Sequence, residues 1–238
     1  MTKSFVLGFN EIHRSGRLSV GNKAFNLSLL SKMVDDINIP KSVVLLSSAD
    51  VDMEVAKKEL LDYVQANIHY PIIARSSTTV EDSAVSFAGL FASEVCYDEK
   101  DLDKTIDNVL SSLFAEEVLS YCKFKQIDHS EIKMAVLIQQ YISPDISGVI
   151  FTKHPVSNDT SIILIEYKEK TSDAVTAGTS IPHSILIKKD KFVLYEPLFE
   201  QLRTIALSAE VEFGYPLDLE WILSDEKVWI VQVRQITT

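Results

Sequence analysis

Apolar and polar positions repeat along this chain with two periods, and the changes of period mark its elements. Residues 22–33 place Phe25, Leu29 and Leu30 on one side and predict a helix. Leu102, Ile106, Val109, Leu110 and Leu113 recur at helical spacing and predict a second helix over 100–121. Asp50 is a capping candidate for a helix running to about residue 67. Two apolar runs follow prolines: Pro40 opens KSVVLLSS and Pro71 opens PIIARSS, both read as strands. Residues 76–90 are small and polar, a loop or hairpin. The second half is richer in strands, at 132–142, 147–152, 161–167, 183–188 and 192–196, with a short helix at 198–212. The tail DLEWILSDEKVWIVQVRQI reads as two strands joined at Ser224–Lys227. Few βα repeats occur, so the pattern predicts an α+β fold with mainly antiparallel sheets.

Composition narrows the function classes. The chain has 238 residues, 46% hydrophobic and 24% charged, with only 7 Gly and 7 Pro. It therefore has the makings of a large packed core, and no repeat, charge block or Pro- or Ser-rich linker interrupts it. Lys plus Arg total 23 against 34 Asp plus Glu, a net charge of −11. That balance argues against a nucleic-acid partner, because phosphate-backbone binding needs a broad basic surface. Cys96 and Cys122 lie too far apart for a CxxC motif, and two cysteines make no disulfide framework. No apolar run reaches the ~20 residues of a membrane span, and the N-terminal run is too short for a leader's apolar region. A cytoplasmic protein with no membrane association is expected.

Three local patterns suggest anion and metal chemistry. In Asp218-Leu-Glu220-Trp221 the carboxylates share one strand face. In the strand that follows, Gln232 and Arg234 share a face opposite Val231 and Val233. Carboxylate and amide oxygens suit Mg²⁺, and a guanidinium grips phosphate with two donors. An ordinary solvated face with an Arg–carboxylate pair fits the same alternation. Second, Arg75 ends an apolar strand and enters a run of hydroxyls and small residues reaching Gly89, where backbone N–H groups can approach an anion. A plain surface hairpin fits equally. Third, Lys23 stands at a helix start, a poor position for a cation unless helix and lysine together meet phosphate. Gly16-RLSV-Gly21-Asn22-Lys23 is not a P-loop: the lysine comes one place late, and Ala24 occupies the metal-binding hydroxyl position.

Taken in order, these pieces resemble the ATP-binding domain shared by pyruvate phosphate dikinase, phosphoenolpyruvate synthase and rifampin phosphotransferase. Residues 21–27 are similar to the family's GGKGANL opening. IIARSSTTVEDSAVSFAGLFAS (72–93) resembles its RSSATAED…SFAGQ…T segment, and MAVLIQQYISPDISGVIFTKHPVS (134–157) its VVVQxMV…SGVxFTxxP segment. DLEW (218–221) with QVRQIT (232–237) resembles its closing (D/E)-x-E-W…Q-x-R-P-I-T. The resemblance implies an ATP-grasp-type fold over 1–238, with lobes of about 1–140 and 141–238 and Mg-ATP in the cleft between them. It implies that Lys23 and Arg75 hold nucleotide phosphates, that Gly89 sits in the loop covering them, and that Ser93 takes the place of a phosphate-contacting Thr. Gln139, Tyr141 and Ile142 match the hinge whose backbone holds adenine. Glu220 and Gln232 match the Mg²⁺-associated pair with Asp218 in support, and Arg234 the arginine that stabilises the transferring phosphate.

The activity so implied is phosphoryl or pyrophosphoryl transfer from ATP, with Lys23, Arg75 and Arg234 as its catalytic cations. The acceptor would be a histidine on a separate domain or protein partner, since no swivelling His domain or PEP/pyruvate domain is expected within the chain. Two other readings remain: a stand-alone kinase of a small-molecule acceptor, and a non-catalytic nucleotide-binding interaction module. The sequence departs from the family at Asn22 and Ala24, at 170–178 where glycines are lost and Asp173 replaces Glu, and at Gln235 in place of Pro. His154 and His183 are expected to be structural.

Overall fold

The structure is a computed structural model, and it describes residues 4–48, 50–80, 87, 89–169, 182–193 and 196–236. The chain divides into one unit of Met1–Ser28 with Pro40–Tyr141 and another of Leu29–Ile39 with Ile142–Thr238.

The first unit contains β1 (Val6–Gly8), α1 (Phe9–Ser15), most of α2 (Arg17–Met33), β2 (Ser42–Leu46), α3 (Met53–Asn67), β3 (Ile72–Thr78), β4 (Ser93–Cys96), α4 (Leu102–Ser111), α5 (Glu116–Lys125) and β5 (Met134–Gln140). Its strands form one antiparallel sheet in the order β1-β2-β5-β3-β4. Strand side chains alternate, so the sheet has two characters. Val43, Leu45, Ile72, Ala74, Val136 and Ile138 point to one face and pack with Ala56, Leu60 and Val64 of α3 and Leu102, Ile106 and Val109 of α4. Each such leucine contributes roughly 2 kcal/mol by leaving water. The other face carries Ser42, Gln139, Ile73, Arg75, Ser77 and Ser93.

Several expectations shift here. The cap of α3 is Asp52, whose carboxylate accepts from the N–H groups of Glu54 and Val55, while Asp50 accepts from the Ser48 hydroxyl. The strand after Pro71 continues to Thr78, into the stretch expected to be loop. The single helix expected over 100–121 is broken. A 3₁₀ turn at Ser112–Phe114 and an extended Ala115 separate α4 from α5. The Ser112 hydroxyl donates to Val109 O (2.6 Å) and accepts from Ala92 N–H (3.1 Å). The break lets α5 turn Val118 and Cys122 into a second apolar cluster with Phe87, Phe91, Ile132 and Met134. Strands β1 and β4 are too short to register in the apolar pattern.

The second unit contains β6 (Ile146–Phe151), β7 (Ile162–Glu169), β8 (His183–Lys188), α6 (Pro197–Phe213), β9 (Leu217–Ser224) and β10 (Lys227–Gln235). They form an antiparallel sheet in the order β10-β9-β6-β7-β8. One face buries Ile150, Ile165, Leu219, Trp221, Ile230 and Val233. The inward stripe of α6, with Phe199, Leu202, Ala206 and Ala209, is buried too, and the helix contacts β6 and β9. Proline opens this helix, and Gly214 in the left-handed region ends it by donating to Glu210 O. Of the strand expected at 192–196, residues 194–195 lie outside the described residues, and 192, 193 and 196 are not in a strand; Val193 N–H donates to the Glu200 carboxylate.

The β9–β10 hairpin turns through Asp225 and Glu226, both at positive φ (49° and 61°), as a two-residue turn whose twist suits the strands. A bulge follows at Val231. Trp229 faces Ile222 and Ile230 faces Trp221, but the next pair is Gln232 with Glu220. Strict alternation would put Gln232 in the core beside Val228 and Ile230. The extra residue resets the phase, so Val228, Ile230 and Val233 are all buried while Gln232 and Arg234 point the other way. Val231, expected to share the apolar face with Val233, is this extra residue and only half-buried.

Candidate functional site

The residues singled out by sequence fall into two sets, one in each unit. In the first, α2 is interrupted at Gly21 (φ 75°, ψ 168°) and restarts at Asn22. A Cβ on Gly21 would lie 2.0 Å from Ser77 O, so only glycine fits beside β3. Lys23 lies in the first turn after this break, 8% exposed, and donates from Nζ to Ser76 O (2.9 Å). Its ammonium is thereby held beside the strand residue next to Arg75. The departures at positions 22 and 24 are built into the turn: Asn22 Nδ2 donates to Thr79 O (3.2 Å), and Ala24 N–H donates to Ser77 Oγ (3.0 Å).

Arg75 stands directly opposite Ser93 across β3 and β4, and Ile73 opposite Gln139 across β3 and β5. Arg75, Ser93 and Gln139 therefore share one sheet face. Gln139 is buried, and its side chain donates to Ser42 Oγ (3.2 Å). Tyr141 N–H donates to Pro71 O (3.0 Å). Gly89 adopts φ 76° between two phenylalanines, Phe87 and Phe91, whose rings stack at 5.6 Å. The polar stretch before it (81–86) and the altered segment 170–178 lie outside the described residues.

In the second unit, Glu220 faces Gln232 and Asp218 faces Arg234 across β9 and β10, all four on the face away from the core. Arg234 places Nε and Nη2 on the same oxygen of Asp218, at 2.8 and 2.7 Å. The other oxygen, Oδ1, is buried with no hydrogen-bond partner among the described residues. Burial pushes the Asp218 carboxyl above the usual aspartate range; Arg234 pulls it back in part, and Glu220 adds to the rise. A carboxylate oxygen that lacks a donor, beside a second carboxylate and an amide oxygen, suits a hard divalent cation. Among the described residues no group of three or more His, Cys, Asp or Glu could hold a metal.

A cavity of about 390 Å³ opens on this sheet, lined by Val149, Glu166, Lys168, Glu220, Trp221 and Val231 among others. Glu166 belongs to no motif in the sequence, yet it lines this cavity. The register sets it in one row with Val149, Glu220 and Gln232. Its signal was the alternation of Leu164, Glu166 and Lys168, masked by the apolar neighbours of β7. The strands approach closely at Gly148, where a Cβ would lie 2.2 Å from Glu166 O. His154 accepts the N–H groups of Val156 and Ser157 through Nδ1, and His183 stacks on Tyr167 at 5.1 Å, so both have structural partners. No helix of the described residues is long and apolar enough to cross a membrane.

Comparison with solved structures gives the fold. The chain is similar to the ADP complex of N5-carboxyaminoimidazole ribonucleotide synthetase, with a TM-score of 0.51 and 13% identity over 90% of this chain and 44% of that one. The fold is ATP-grasp. Among curated proteins it is 25% identical to rifampicin phosphotransferase of Bacillus cereus, over 99% of this chain and 36% of that protein. It is also 25% identical to a probable phosphoenolpyruvate synthase of Pyrococcus horikoshii, over 90% of this chain and 31% of that protein. The chain thus spans about a third of the length of these relatives. Residues 41–197 match the family model for the pyruvate phosphate dikinase AMP/ATP-binding domain, and the chain belongs to that family.

Proposed function

We propose that this chain binds Mg-ATP and supplies the phosphate-donating part of an ATP-dependent phosphotransferase. The observation that carries the reading is the pairing of Glu220 with Gln232 and of Asp218 with Arg234 on one sheet face, within a chain of the AMP/ATP-binding family. Lys23 and Arg75 neutralise phosphate oxygens, Gly89 belongs to the loop that covers them, and Ser93 offers a hydroxyl. The backbone at Gln139, Tyr141 and Ile142 holds the base, and the Tyr141 N–H bond to Pro71 O anchors that stretch at the start of β3.

Glu220 and Gln232 would hold Mg²⁺ with Asp218 in support, and the ion when bound supplies positive charge to the phosphates. Arg234 offers a planar two-donor group to the transferring phosphate, and Asp218 fixes its orientation. Phosphoryl transfer asks for positioned charge more than covalent chemistry from side chains, and these residues meet that need. The acceptor is a histidine on a separate domain or protein partner, which receives a phosphoryl or pyrophosphoryl group.

Calorimetry with Mg-ATP on the wild type, Lys23→Ala and Arg234→Ala tests the reading. Binding by the wild type that weakens in Lys23→Ala supports it, and a wild type that binds no Mg-ATP sinks it. Transfer from ATP to a small molecule by this chain alone would remove the need for a histidine partner.

A further inference from the structure

We infer that Ser77 is a positioning residue for Lys23, an inference that rests on the phosphate-binding role proposed for that lysine. Ser77 is wholly buried near the end of β3. Its hydroxyl makes two bonds of opposite sense: it donates to Val20 O (2.7 Å) and accepts from Ala24 N–H (3.0 Å). Val20 is the last residue before the Gly21 break, and Ala24 follows Lys23. One hydroxyl thus ties both ends of the five-residue turn that delivers the lysine.

The chemistry explains why a hydroxyl is used. A helix that restarts after a break exposes its first N–H groups, and the end of the preceding turn exposes a carbonyl. A serine serves both from a single atom, whereas a backbone group serves only one. The strand provides a rigid anchor, because Ser77 and its neighbours are laddered to β5. The Ser77 carbonyl side also sets the clearance that admits only glycine at position 21. Lys23 is then fixed at its far end by Ser76 O, the residue before Ser77 in the same strand. Both the backbone and the ammonium of Lys23 are therefore referenced to two consecutive residues of β3. In Ser77→Ala the turn loses one reference and keeps the other, so Lys23 swings on its backbone while the fold survives.

The test pairs two measurements. Amide hydrogen exchange in Ser77→Ala should show lost protection at Ala24, with protection in α3 and β5 unchanged; full protection at Ala24 overturns the inference. Mg-ATP affinity should fall about tenfold in Ser77→Ala, the scale of one net hydrogen bond. It should not fall further when the same substitution is made in a Lys23→Met background. Additive losses would mean that Ser77 acts independently of Lys23, and would also overturn it. Ser77→Cys, nearly isosteric but a poor hydrogen-bond partner, carries the same test should Ser77→Ala not fold. A wild type that fails to bind Mg-ATP would refute the proposed function, and hydrogen exchange at Ala24 would still decide whether Ser77 sets the turn.

Discussion

Arg234 spends two donors on one oxygen of Asp218, and that carboxylate's other oxygen is buried without a donor among the described residues. The two partners are not equally committed. The Asp218 side chain is 6% exposed and that of Arg234 31%. Removing the arginine strands a carboxylate away from water, whereas neutralising the aspartate leaves a guanidinium that still reaches solvent. Arg234→Ala is expected to destabilise by about 3 kcal/mol and Asp218→Asn by about 1 kcal/mol. Urea unfolding of the two variants measures the asymmetry, and equal losses would contradict it.

Gly21 and Gly89 share nearly the same φ, 75° and 76°, yet their surroundings differ. Among the described residues a Cβ at Gly89 meets nothing within 4 Å, while one at Gly21 meets Ser77 O at 2.0 Å. Gly89→Ala should cost only the left-handed backbone penalty of about 1 kcal/mol. Gly21→Ala adds a steric clash against a strand and should cost about 3 kcal/mol or more. Thermal denaturation of both variants separates the two effects.

Glu200 accepts two bonds from Arg203, at 2.9 and 2.7 Å, and one from Val193 N–H at 2.9 Å. The Arg203 hydrogen bonds are the chief cause that holds its carboxyl down to about 2, from an ordinary value of 4.5. Above pH 4.5 the carboxylate is ionised in both folded and unfolded chains, and the clamp contributes in full. As pH falls the unfolded chain takes up the proton first, and the contribution fades until about pH 2. Glu200→Gln should therefore be less stable than the wild type at neutral pH, with a gap that narrows through this window. A gap that widens on acidification would contradict the assignment.

Glu220 and Gln232 face each other as the proposed Mg²⁺ ligands. Glu220→Gln keeps the shape and removes the charge, so the Mg²⁺ concentration needed for half-maximal ATP binding should rise at least about tenfold, the cost of disturbing even an outer-shell partner. Calorimetric titration at a series of Mg²⁺ concentrations reads this directly. An unchanged midpoint would move the metal away from this pair.

What could be read in the sequence followed from how local each signal was. The helix of α2 and the strands after Pro40 and Pro71 are written in consecutive residues and formed where expected, but the buried face of α2 is Val20, Ala24, Leu27 and Leu30, with Phe25 and Leu29 only half-buried. The joint at Ser224–Lys227 also formed where expected. The break at Ala115 was hidden because nothing local ends α4; the turn is held by Ser112 reaching Ala92, twenty residues away. The cap is Asp52 and not Asp50, two identical side chains two residues apart between which only the fold chooses. In the site, the shared face of Asp218, Glu220, Gln232 and Arg234 was legible from alternation. Glu166 was not, because its row with Glu220 runs through Val149 on a third strand. The commitment of the Gln139 side chain to Ser42 was hidden in the same way, since it depends on the β2–β5 register.

The bulge at Val231 means that β10 is read in two frames, one before it and one after. Substitutions within either frame trouble only their own neighbours. Loss or gain of a single residue near Val231 does something different: it exchanges inside for outside along the rest of the strand, sending Gln232 and Arg234 toward the apolar layer and Val233 toward solvent. This strand should therefore accept almost no change in length, and natural or engineered variation in it is expected to preserve the residue count between Trp229 and Arg234 as strictly as the identities of Gln232 and Arg234 themselves.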